Sequence, residues 1–239
     1  MITLAFDTAS ERCTVAATDG VRVAGRYIDG PRRHAAVLLT LFDEVLSELG
    51  TSRAHIGRVL TGDGPGSFTG LRVAAAAAKA LAWHREVEWR VAPSLLVRAM
   101  AQVPAEGGVI LALSDALRGE LYAGCWRVTA HAIERVGVAP RAMAPAALAE
   151  YGDVDVVTGS IPVSLVDAVT AATGRVPISG AEALPDARWL IALDRRSGGT
   201  SVVDDPAAWE PEYGRPAEAQ AVWERAHGRS LPAAPGVAR

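Results

Sequence analysis

Half of the 239 residues are hydrophobic, which is enough for two modest domains or one large one around a sizeable core. A formal net charge of −3 argues against a protein that holds nucleic acid mainly by neutralising phosphates. No apolar run reaches the roughly 20 residues that span a bilayer, and the chain opens without a basic segment ahead of an apolar one; with only Cys13 and Cys125 and no disulfide framework, a cytoplasmic location is expected.

Ile2 to Phe6, Cys13 to Thr18 and Val21 to Tyr27 read as an antiparallel three-strand meander, with Asp19-Gly20 at a turn. From His34 the period changes. Val37, Leu38, Leu41, Phe42, Val45, Leu46 and Leu49 recur at helical spacing, and Gly50 ends the helix. A short apolar piece, Val59 to Thr61, leads into the turn Gly62-Asp63-Gly64-Pro65-Gly66 and a second helix from about Ser67 to Trp83. A helix over Leu95 to Met100 follows, and Val103 to Gly108 reads as a connection between domains.

The same order then recurs. Val109 to Leu113, Glu120 to Val128 and Ile133 to Val138 read as strands, Pro145 to Glu150 as a short helix, and Val154 to Thr158 as a further strand. Val163 to Ala172 and Ala187 to Leu193 complete the pattern as helices. Strands first and helix afterwards, twice over, predicts a duplicated α/β unit. The expected division is 1–103, 104–215 and a partly flexible tail, 216–239.

The block Gly62 to Leu71 followed by Arg72 is more specific than an ordinary turn. With Leu4-Ala5-Phe6-Asp7-Thr8-Ala9, His34, Asp115 to Tyr122 and Glu210 to Pro216, it resembles the TsaB family. The resemblance implies an α/β, actin-like and sugar-kinase-like fold of two related domains. It also implies a non-catalytic subunit that pairs with the paralogue TsaD, alongside the ATPase subunit TsaE, in forming threonylcarbamoyladenosine beside the tRNA anticodon. In that reading tRNA is engaged indirectly, and no cofactor is implied. A homodimer is the alternative state when TsaD is absent.

Two other readings compete. The catalytic paralogue of the family carries a metal-binding His-x-x-x-His; here His34 holds the first position but Leu38 the second, and Leu38 cannot ligate a metal. A metallopeptidase therefore has little support, and no metal site is expected. The actin-like ATPase or phosphotransferase reading rests on Asp7-Thr8 at a strand end, where such folds hold a metal-phosphate group. The usual glycine of that hairpin is replaced by Ala9, Ser10 and Glu11, and the glycine turn lacks the lysine of a P-loop. An anion or nucleotide site is left as one use of Asp7, Thr8, Gly66, Ser67 and Thr69, through exposed amides at a helix start; helix capping is the other. No catalytic residue is assigned.

The two long helices suggest a partner face. Val37, Leu38, Leu41, Phe42 and Val45 on the first, with Leu71, Ala74, Ala75 and Ala78 on the second, are the expected contact residues, because small side chains admit a close helix. An internal helix buried on its own sheet explains either pattern equally well.

Overall fold

The structure is a computed structural model that describes residues 1–30, 33–83, 87–214 and 227–228. Strands β1 (Ile2–Asp7), β2 (Arg12–Thr18) and β3 (Val23–Asp29) form the antiparallel meander. The second of its turns is tied by the Asp19 carboxylate, whose Oδ1 accepts the Val21 and Arg22 amides at 2.9 and 2.7 Å. Those bonds hold Val21 in the turn, so β3 begins two residues later than the apolar pattern implies.

Strand β4 (Ile56–Gly62) runs parallel to β1, and β5 (Glu88–Ala92) runs parallel to β4. In the second sheet, β6 (Gly108–Asp115), β7 (Leu121–Val128) and β8 (Ile133–Met143) make another antiparallel meander, and β9 (Val156–Ser160) is parallel to β6. The order β8-β7-β6-β9 thus repeats β3-β2-β1-β4, which is the duplication of an actin-like α/β fold. Strand β10 (Ser201–Val202) adds antiparallel to β5 at the edge of the first sheet.

Alternation along the strands divides the core. Leu4, Phe6, Cys13, Val15, Val59 and Trp89 face one side, where α1 (His34–Glu48) and α2 (Phe68–Trp83) cover them. Ala5, Ala16, Leu60 and Ala92 face the other side. There α3 (Ser94–Ala99) and α5 (Arg188–Asp194) lie between the two sheets and also pack on Ile110, Ala112 and Trp126 of the second. The outer face of the second sheet, with Leu111, Leu113 and Cys125, is covered by the 3-10 turns of Pro145–Tyr151 and by α4 (Val166–Thr173).

Two strands escaped the sequence reading for a physical reason. In β5, Trp89 and Val91 face the apolar core, whereas Glu88 and Arg90 point the other way into an ion-pair network. Arg58 meets Glu88 at 2.7 Å and Asp194 at 2.8 Å, and Arg90 meets Asp194 at 2.9 Å. Charges at every second position disguise a strand whose polar face is nonetheless partnered. β10 is only two residues long and carries no pattern.

The chain passes from the first sheet to the second across 103–107 and then returns. Residues 201–209, which the sequence places with the second unit, pack on the first sheet instead. The Val203 amide donates to the Trp89 carbonyl at 2.9 Å, and the Trp209 ring sits edge-on to Trp89 with centroids 4.5 Å apart. The rest of the expected tail, apart from 227–228, lies outside the described residues.

Candidate functional site

The glycine turn joins β4 to α2 and is pressed against the loop after β1. The Ser67 amide donates to the Ala9 carbonyl at 2.7 Å, the Thr8 hydroxyl donates to the Gly70 carbonyl at 2.7 Å, and the Ser67 hydroxyl accepts the Gly70 amide at 3.3 Å as a helix cap. A side chain at Gly70 would strike the Thr8 carbonyl, and one at Gly62 would strike the Asp7 carboxylate and the Ser94 hydroxyl. Glycine is required here by close approach. One of the amides expected to receive an anion is thereby taken by the protein's own backbone.

Asp7 forms the floor. It is buried; its Oδ1 accepts the Ala9 amide at 2.7 Å, while Oδ2 has no partner in hydrogen-bond geometry. Burial raises its pKa, against smaller opposing effects of the Ala9 amide, the neighbouring Ser94 hydroxyl, Arg98 and His34. Beside it, Arg98 is itself buried, donating to the Ala183 carbonyl at 2.9 Å and pairing with Glu11 at 3.3 Å. The space left among Asp7, Ser10, Ser94, Arg98 and Ser114 is about 10 Å³. That is the minimum for one water and too little for a phosphate.

The five residues of the expected anion turn lie side by side, but their polar groups do not open into one cavity. Asp7 and Thr8 are buried, whereas the side chains of Ser67 and Thr69 are exposed and line no part of that cavity. Gly66 is pressed on Ala9. His34 is buried with Nε2 unpartnered, and Leu38 one turn on lies in the core. Among the described residues no three His, Cys, Asp or Glu side chains are grouped to hold a metal ion. Cys13 and Cys125 are buried free thiols, their pKa values pushed up to about 12 and about 11 by burial.

A larger cleft opens between the sheets, outside the carboxyl ends of β4 and β5, with a volume of about 320 Å³. Asp63, Glu212, Arg135, Trp126 and the segment Gly198 to Ser201 line it. Asp63 is partly buried, and its carboxyl is pushed up to about 7 by burial first and then by the Glu212 and Asp7 carboxylates. Glu212 is held there by its amide, which donates to the Asp63 carbonyl at 2.8 Å. The sequence reading named Asp63 only as a turn residue; an acid between two glycines at a strand's carboxyl end was the signal available for it.

Around Glu212 the segment Trp209 to Gly214 is a strap. The Tyr213 ring stacks on Phe68 with centroids 4.8 Å apart, the Arg72 Nε donates to the Tyr213 hydroxyl at 3.3 Å, and Gly214 packs on Pro65 and Tyr122. It ties the start of α2 to the second sheet.

The expected partner residues need correction. Leu38, Leu41, Phe42, Val45, Leu71, Ala74 and Ala78 are buried inside the molecule, Ala75 is 9% exposed and Val37 is half-buried against the same core. The sheet consumes the whole apolar stripe of each helix, because α1 and α2 lie side by side over its one face. The exposed residues of α2 include Phe68, Arg72, Ala76, Ala80 and Trp83, at helical spacing, with Trp83 71% exposed; the large apolar residue that α1 exposes is Leu39, at 50%.

A family model described as TsaD, tRNA N6-adenosine threonylcarbamoyltransferase, matches residues 29–151, just over half of the chain. A protein from Escherichia coli named tRNA threonylcarbamoyladenosine biosynthesis protein TsaB is 35% identical over 120 residues, 50% of this chain and 52% of that one. The solved structure of YeaZ from Pseudomonas aeruginosa superposes with a TM-score of 0.68 at 28% identity, covering 81% of this chain and 90% of that one. The chain belongs to the TsaB family. A second solved structure, described as similar to the peptidase YEAZ from Pseudomonas aeruginosa, covers 90% of this chain and 99% of its own at a TM-score of 0.71 and 26% identity. The family fold therefore extends well beyond the matched segment, although the chain spans about half the length of the curated relatives it matches. The matched residues carry α1, α2, the glycine turn and most of the cleft wall contributed by the second sheet. No described helix is long and apolar enough to cross a membrane.

Proposed function

We propose that this chain is a non-catalytic, activating subunit in the biosynthesis of threonylcarbamoyladenosine on tRNA, working in the cytoplasm as the heterodimer partner of a TsaD paralogue. In this reading TsaE supplies ATPase activity, and tRNA is engaged through the complex. The names of the relatives support the pathway. The observation that supports a non-catalytic role is the filled Asp7 site: Arg98 and the β1–β2 loop occupy the place where an actin-like enzyme would hold phosphate, leaving about 10 Å³. No observation favours the phosphotransferase or peptidase readings over this one.

The proposed partner surface is the outward stripe Arg72, Ala76, Ala80 and Trp83 of α2, together with the exposed Leu39 of α1. Alanines let a second helix approach closely, and the exposed Trp83 offers a large apolar anchor at one end. Mixing the purified chain with its own TsaD paralogue and measuring mass by light scattering after gel filtration is expected to give a one-to-one complex. Two separate peaks at micromolar concentrations of both would overturn the proposal.

A further inference from the structure

The interdomain cleft plays no part in the partner reading, yet it has the features of a ligand site. Its volume of about 320 Å³ lies at the lower end of the roughly 300–1,000 Å³ typical of small-molecule pockets. It also sits where ligands of open α/β sheets bind, outside the carboxyl ends of parallel strands and between two sheets. The nearly closed space at Asp7 is a separate and much smaller cavity.

The walls carry opposite charges from different parts of the fold. Asp63, just after β4, and Glu212, on the strap, bring two carboxyl groups to one side, their backbones tied by the Glu212 amide on the Asp63 carbonyl. From the second sheet Arg135 lines the same cleft, and among the described residues no ion pair or hydrogen bond occupies its guanidinium. Arg135 stands opposite Trp126 in the β7–β8 register, and both residues line the cleft. The Ile133 amide donates to the Ser197 carbonyl at 2.8 Å, which brings the turn before Thr200 alongside this strand.

Such walls suit a small molecule with an ammonium at one end and a carboxylate at the other. A simple anion meets two carboxylates, whereas a simple cation meets Arg135. Only a zwitterion answers both, since its ammonium relieves the repulsion between Asp63 and Glu212 while its carboxylate takes the two parallel N–H donors of a guanidinium. Trp126 and Leu96 supply an apolar surface for a short side chain. We propose that this cleft is a binding site for a free α-amino acid, with its ammonium at Asp63 and Glu212 and its carboxylate at Arg135.

The test is isothermal titration calorimetry of the full chain at pH 8, above the value of about 7 to which the Asp63 carboxyl is pushed, with each of the twenty standard L-amino acids. Ethanolamine, acetate and magnesium chloride serve as probes of each charge alone. Saturable one-to-one binding of at least one amino acid is expected, with roughly tenfold or greater weakening in Arg135→Gln and in Asp63→Asn. Arg135 is exposed, so its variant tests the site even where Asp63→Asn perturbs folding. Absence of binding by every amino acid at millimolar concentrations overturns the proposal. So does binding of magnesium alone, or amino-acid binding that Arg135→Gln leaves unchanged. The outcome is independent of whether the chain associates with TsaD.

Discussion

Ala78→Glu is expected to unfold the protein, whereas Ala76→Glu, half a turn away on the same helix, is expected to leave it folded and unable to hold its partner. Ala78 is 0% exposed, in the cluster that includes Leu4, Phe6 and Phe42. A carboxylate there has no cation to meet and costs several kcal/mol, against a total stability of about 5–15 kcal/mol. Ala76 is exposed, and Glu is a good helix former, so the isolated chain loses only a few tenths of a kcal/mol. In the proposed contact with TsaD the same charge would be desolvated and unpaired, and it is expected to weaken association by about tenfold or more. Circular dichroism and thermal melting read the first effect, and co-elution with TsaD reads the second. A folded Ala78→Glu would contradict the packing of α2. Full affinity in Ala76→Glu would remove the outward stripe from the interface.

The second large effect concerns pH. In the folded chain Asp63 keeps its proton up to about pH 7, but in the unfolded chain it releases it near the ordinary aspartate value of 3.8. Between those values the folded state binds more protons, so stability falls as pH rises. The favourable contribution is fully present below about pH 4 and lost as pH rises through about 7. A shift of this size corresponds to something on the order of 4 kcal/mol. Asp7, whose pKa is also raised by burial, acts in the same direction. Asp29 and Glu88, held low by hydrogen bonds from Arg12 and Arg90, act in the opposite direction. Urea unfolding of the wild type and Asp63→Asn at pH 4.5 and 7.5 separates these effects, because only the Asp63 contribution differs between the two proteins. The variant is expected to gain relative stability at the higher pH. Equal pH dependence in both would show that Asp63 is not held in its protonated form.

Much of the fold was legible because the strands around the two meanders are apolar and their helices strongly periodic. The duplicated order followed from that pattern alone. What the pattern could not supply was direction. Leu38, Phe42 and Ala78 look the same in sequence whether a helix stripe faces its own sheet or a partner, and only the placement of α1 and α2 over one face of the first sheet decides it. β5 was hidden by Glu88 and Arg90, whose partners Arg58 and Asp194 lie far away along the chain.

The site was legible in part. The resemblance drew attention to Asp7 and to the glycine turn, and the turn does abut the loop after β1. That the space beside Asp7 is filled depends on Arg98, a residue on the short helix α3 that carries no motif. The cleft joins Asp63, Arg135 and Glu212 from three separate segments, and none of the spacings between them has meaning along the chain.

The most direct test is a reconstituted modification reaction, with TsaD, TsaE, the activated threonylcarbamoyl donor and unmodified tRNA, assayed for threonylcarbamoyladenosine with and without this chain. A subunit that activates without catalysing is expected to be required for repeated turnover when TsaD is present and to form no product when TsaD is omitted. Product formation by this chain without TsaD, or a TsaD rate unchanged by adding it, would contradict that account.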